Sequence, residues 1–192
     1  MVTVSTSKTA ERTYHHGDLR SALIEAGLRH LETGGDQELS LRALAREAGV
    51  SPTAVYRHFP DKNALLSALA AAGVDQLGAW QQKAAEQASP DNAFAATGRA
   101  YVRWALAHPA LFRLAFVQCH PMGDALFRDN TAARMLSDYA RELTGDDAGA
   151  QRLMIQAWAV VHGLAMLMLD GQLPQDDALI DQVIDARTLF RA

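Results

Sequence analysis

The stretch from Leu39 to Leu69, LSLRALAREAGVSPTAVYRHFPDKNALLSAL, constrains this chain more than any other. Ser40 is a natural N-cap, and Leu41, Leu44, Ala45 and Ala48 after it fall on one face of a short helix that Gly49 breaks. Ser51-Pro52 starts a second short helix, because proline at the first helical position gives up only an N–H that would have no helical partner. That helix runs to about Phe59. Pro60 interrupts the pattern, and Asp61 is suited to cap a long fourth helix from Lys62 to about Gln87. Ala45, Gly49 and Ala54 are small enough to let the two short helices approach closely. Val55 and Phe59 are expected to point inward and anchor the second helix from beneath.

Two short helices joined by a tight turn, with glycine supplying a positive φ, form a unit in which the first braces the second. The second can then lie in a major groove about 12 Å wide. Its outward positions are Pro52, Thr53, Tyr56, Arg57 and His58. Thr53 and Arg57 could reach base edges or phosphates, while Tyr56 and His58 suit phosphates through their polar tips. Lys62 would place its charge beside the N-terminus of the fourth helix, near a backbone phosphate. The net charge of −4 is unusual for a nucleic-acid binder, yet it is unevenly spread. Residues 1–62 carry eight Lys/Arg against eight Asp/Glu, so the excess acid falls on 63–192. Within 40–62, Arg42, Arg46, Arg57 and Lys62 outnumber Glu47 and Asp61, and Arg42 joins the candidate DNA contacts.

Elsewhere the pattern is helical throughout. Hydrophobic residues make up 49% of the chain, enough for a real core, and β-branched clusters are few, which predicts an all-α protein. A polar arm over 1–13 precedes a helix from Asp18, whose stripe of Leu19, Leu23, Ala26, Ile24, Leu28 and Leu31 is expected to end at Gly34-Gly35. His15-His16 belongs either to a minor-groove arm or to a solvated lead-in. Further helices are expected at about 91–107, 109–117, 124–143, 148–170 and 176–190. The plan is a three-helix head over 14–62, joined by the long helix to a helical body within 63–192, with about nine helices in all. The lone Cys119 excludes an internal disulfide, and residues 1–13 lack the apolar run of a signal peptide, so a cytoplasmic chain is expected. Leu153–Leu169 carries no charge, but its 17 residues include Gln156, His162 and Gly163. A buried core helix is therefore preferred to a membrane span.

Helix 148–170 is apolar nearly all round: Leu153, Ala157, Val160, Leu164 and Met168 form one stripe, and Met154, Trp158, Val161, Ala165 and Leu169 another. One face can pack on its own core and another on a second copy, with Gly163 admitting a partner backbone. A homodimer also follows from the reading head, since one recognition helix covers too few base pairs and two related by a twofold axis read a palindrome. Candidates for lining a small-molecule cavity are Tyr101, Trp104, Phe112, Phe116, Met154, Trp158, His162 and Met166. The plainer alternative is that most of them fill the core, with His162 a hydrogen-bonded core histidine.

No catalytic signature stands out. Cys119-His120 is the one nucleophile-like pair, but neighbours in sequence rarely meet with base-to-nucleophile geometry. HxxxH, CxxC and glycine-rich phosphate patterns are absent, so no metal and no cofactor are expected. Two rival functions stay open: a helical-bundle enzyme whose turnover depends on Cys119, and a ligand-blind architectural DNA binder.

The run Ala45-x3-Gly49-Val50-Ser51-x3-Val55-Tyr56-Arg57-His58-Phe59-x2-Lys62-x2-Leu65, with Tyr14 to Arg20 before it, resembles the helix-turn-helix signature of the TetR regulators. The resemblance covers about 14–69 and implies that Thr53, Tyr56, Arg57, His58 and Lys62 face double-stranded operator DNA. Tyr101 to Phe116 and Trp158-x3-His162-Gly163 resemble the TetR C-terminal subclass named for its Trp, His and Gly. That likeness implies a ligand-binding and dimerisation body. The expected function is a repressor released when an unidentified small molecule shifts the long helix. A coupling of about 1–3 kcal/mol would suffice.

Overall fold

The computed structural model describes residues 16–118 and 131–185, and those residues are helical, with no strand among them. In chain order the helices are α1 (His16–Glu38), α2 (Leu41–Glu47), α3 (Pro52–His58), α4 (Lys62–Gln87), α5 (Ala93–Ala107), α6 (Pro109–Arg113), α7 (Thr131–Thr144), α8 (Asp147–Leu169) and α9 (Asp177–Val183). A 3-10 turn, Pro90–Asn92, leads into α5, and a π-type stretch, Leu114–Gln118, continues α6. The arm over 1–13, His15, and the Cys119-His120 pair lie outside the described residues.

Local chemistry explains most boundaries. The Ser51 hydroxyl accepts the Ala54 amide at 3.3 Å and the Asp61 carboxylate accepts the Ala64 amide at 2.8 Å, so both expected caps are made. Ser40 holds the N-cap position of α2, but its side chain makes no cap bond. Gly34-Gly35 does not end α1, which continues to Glu38. A glycine stops a helix by turning left-handed, and Gly49, Gly145 and Gly171 are the described glycines that do so.

One hydrophobic cluster joins head and body. It takes Leu19, Leu23, Ala26 and Leu31 from α1, Leu44 and Ala45 from α2, and Val55 from α3 with Phe59 just beyond it. It continues through α4 and α5 to Met168 on α8 and Ile180 on α9. The long helix α4 serves both ends, burying Leu65 and Leu69 near the head and Val74 and Leu77 further along. Two glycines set its packing distance. A Cβ on Gly27 of α1 would come within 2.9 Å of the Leu69 side chain, and one on Gly73 of α4 within 2.8 Å of Leu111 on α6. A smaller cluster of Ala140, Ala150 and Leu153, with Met154 against it, joins α7 to α8.

Candidate functional site

The turn between α2 and α3 closes as a double-bonded glycine cap. Gly49, at φ 67, donates to the Arg46 carbonyl at 3.3 Å, and Val50 donates to the Ala45 carbonyl at 3.0 Å. A Cβ at Gly49 would meet no atom within 4 Å. Its glycine therefore answers to backbone conformation, and not to the close helix approach the sequence suggested. Beyond the turn, α3 is held from below by Val55 and Phe59, which are 0% and 1% exposed. The Arg20 guanidinium lies over the Phe59 ring, 5.4 Å from its centroid.

Thr53, Tyr56 and Arg57 are exposed on the opposite side of α3, and Arg42 is exposed on α2. His58 and Lys62 are half-buried, Lys62 as the first residue of α4. The helix thus offers one hydroxyl, one phenol and one guanidinium to solvent from a base that cannot roll, since rolling would expose Val55. Behind it, Glu47 at the end of α2 takes Arg29 at 2.9 Å and His30 at 2.6 Å from α1. The bond from Arg29, reinforced by His30, holds the Glu47 carboxyl below the usual carboxylate range.

In the body, six of the eight candidate lining residues meet in one aromatic cluster. The Tyr101 ring lies 5.9 Å from Phe112, 5.7 Å from Phe116 and 6.5 Å from His162, and Trp158 lies 5.6 Å from His162. Trp104 joins at 6.5 Å from Phe112. The Trp158 indole donates to the Tyr101 hydroxyl at 3.4 Å, and that hydroxyl is 3.0 Å from His162 Nδ1. Burial pushes the Tyr101 hydroxyl far above the usual tyrosine range and lowers the His162 pKa, so the imidazole stays neutral. Met166 packs on the main core, while Met154 sits apart in the α7–α8 cluster. On the outer side of α8, Ile155 and Leu167 are 58% and 43% exposed, and a Cβ on Gly163 would meet nothing within 4 Å.

Residues 23–69 match the family model described as "Bacterial regulatory proteins, tetR family", and residues 94–187 match "Tetracyclin repressor-like, C-terminal domain". The chain belongs to the TetR family. The match over 23–69 falls on the very helices whose turn and outward side chains are described above. A solved structure from Rhodococcus sp. RHA1, of a protein of unknown function, is similar at 36% identity and TM-score 0.77, covering 93% of this chain and 97% of that one. An HTH-type transcriptional regulator of Mycobacterium tuberculosis is 29% identical over 114 residues, 58% of this chain and 49% of that protein, so this chain spans about half of that relative's length. Another, from Bacillus subtilis, is 21% identical over 174 residues, 87% of each chain.

Sequence reasoning about this TetR-family regulator overlooked two features. The His108 imidazole, between α5 and α6, sits 3.1 Å from Glu32 of α1. The π-type stretch delivers Phe116 to Tyr101. His108-Pro109 reads in sequence only as a helix break, although a histidine placed before a proline at a helix junction was a usable signal.

Proposed function

We propose that this TetR-family regulator is a repressor that binds a palindromic operator as a cytoplasmic homodimer and leaves it when a small molecule enters the body. The observation that carries the reading is the two-sidedness of α3. Val55 and Phe59 are locked into the core while Thr53, Tyr56 and Arg57 stand in solvent one helix face away. A rigid helix with hydroxyl, phenol and guanidinium groups outward suits a major groove, with Thr53 and Arg57 at base edges and Tyr56, His58, Lys62 and Arg42 at phosphates.

The dimer reading rests on α8. Asp147–Leu169 is long and apolar enough to cross a membrane by length and composition, yet it packs on α5 and α7. Its outer Ile155 and Leu167, with open space at Gly163, suit a second copy across a twofold axis. We read the head as ending near Lys62 and the body as following it. Trp158, His162 and Gly163 support membership of the subclass named for those residues, through the Tyr101–His162 bond.

Selection of bound fragments from genomic DNA, followed by footprinting, tests the proposal. A protected palindrome with half-sites about one helical turn apart is expected. Equal binding to all fragments, steeply salt-dependent and without a footprint, overturns it.

A further inference from the structure

The aromatic cluster of the body has a chemical polarity that narrows what can enter it. The Tyr101 hydroxyl receives the Trp158 N–H and lies 3.0 Å from His162 Nδ1; the arrangement that uses the phenol's one proton directs it to that nitrogen. With Nδ1 accepting, the proton of the neutral imidazole is on Nε2, so that nitrogen is a donor. A second donor lies in the same cluster. The Trp104 indole is fully buried, and its Nε1 has no hydrogen-bond partner. A buried N–H left unpaired is costly and is relieved by an acceptor. The other buried unpartnered atom, Gln81 Oε1, belongs to α4 beside Thr97 and not to the ring cluster.

Among the described residues, the charged side chains close in sequence to the rings are already paired, His108 with Glu32 among them. Among the described residues, Thr97 is the one buried polar residue. Arg103 is committed to Asp177 and Asp181, and Arg113 to Asp170. A charged guest would be desolvated against Phe112, Phe116 and Trp158, and the paired groups described here could meet it only by giving up their partners. The wall beside the rings is also irregular. Leu114–Gln118 takes the wider π-type winding, a local departure that often accompanies functional sites.

We infer that the body's ligand is an uncharged, largely apolar molecule with a flat portion among the rings and a hydrogen-bond acceptor, such as a carbonyl oxygen, met by His162 Nε2–H. This inference rests on the reading of the body as a ligand-binding domain and specifies the chemistry of that site.

Four probes of one shape test it: acetylnaphthalene, ethylnaphthalene, naphthoate and naphthylmethylammonium. Each is titrated calorimetrically into the full chain without DNA, and release from the selected operator is measured separately. The neutral ketone should bind about five- to tenfold tighter than the hydrocarbon, and both charged probes on the order of a hundredfold more weakly. His162→Phe should bring the ketone-to-hydrocarbon ratio close to one, and His162→Gln, which keeps an N–H, should restore part of it. Tightest binding by a charged probe, binding by none of the four, or an unchanged ratio in His162→Phe overturns the inference. Ketone binding that leaves operator affinity unmoved upholds the ligand class and instead removes the inducer role.

Discussion

Glu32 Oε1 and His108 Nδ1 lie 3.1 Å apart, joining α1 to the junction of α5 and α6. The imidazole is flanked by Trp80, edge-on at 5.8 Å, and by Trp104 at 5.6 Å. It therefore touches α1 by one polar bond and the aromatic cluster by one ring. We expect Glu32→Ala to change the operator affinity of the ligand-bound protein more than that of the free protein, by several-fold. Global stability should change by less than about 1 kcal/mol, because partly exposed pairs are worth little. Anisotropy titrations with and without the neutral ketone probe, beside a urea melt, separate the two effects.

On α3, buried and outward residues should part company. Val55→Ala should cost about 2 kcal/mol of stability, and Gly49→Ala about 1–2 kcal/mol from its left-handed backbone. Arg57→Ala should stay within about 0.5 kcal/mol while altering which base is preferred. Lys62→Ala should weaken all DNA alike and reduce the salt slope by about one unit. Unchanged affinity and preference in Arg57→Ala would refute the assigned orientation of the recognition helix.

Acid should loosen the head through Glu47. Its carboxyl titrates below the ordinary range in the fold, so its contribution is present above that range and is lost as pH falls through the lowered folded value. In urea melts from pH 7 to pH 3, Glu47→Gln should flatten the acid limb of the stability curve. The difference at neutral pH should be only about 0.5 kcal/mol, given the exposure of the pair.

The contact between α4 and α6 has almost no slack. Gly73→Ala would drive a Cβ to within 2.8 Å of Leu111 and should cost about 1–3 kcal/mol by overpacking. Adding Leu111→Ala should recover part of that overpacking cost while adding the cost of the lost Leu111 side chain, so the two changes should not be additive. Thermal melts and operator titrations of the pair form a double-mutant cycle.

The outer face of α8 predicts a further outcome. Ile155→Asp together with Leu167→Asp should shift the protein from dimer to monomer in sedimentation runs and abolish the footprint, while the helical signal is retained. A variant that stays dimeric would move the interface elsewhere.

Much of the head could be read from sequence because its determinants are local: Ser51, Asp61 and Gly49 each act within a few residues of themselves. Ser40 marked the start of α2 correctly, although its side chain makes no cap bond, whereas Gly34-Gly35 misled because a glycine can stay helical. The body was less legible. The two apolar stripes of α8 look alike on a helical projection, yet Met154 faces α7 while Trp158 and His162 face the rings. Phe116 reaches Tyr101 only because Leu114–Gln118 winds more widely than an α-helix. The Glu32–His108 pair bridges 76 positions, and periodicity within single helices carries no trace of it.

The double service of α4 bears on how such regulators can be recombined. Leu69 fills the notch left by Gly27 of α1, while Gly73, one turn on, receives Leu111 from α6. A chimera spliced at the start of α4, with a foreign head on this body, would set a stranger's first helix against Leu65 and Leu69. Specificity should transplant cleanly only when the first two turns of α4 travel with the head and the splice falls between Leu69 and Gly73.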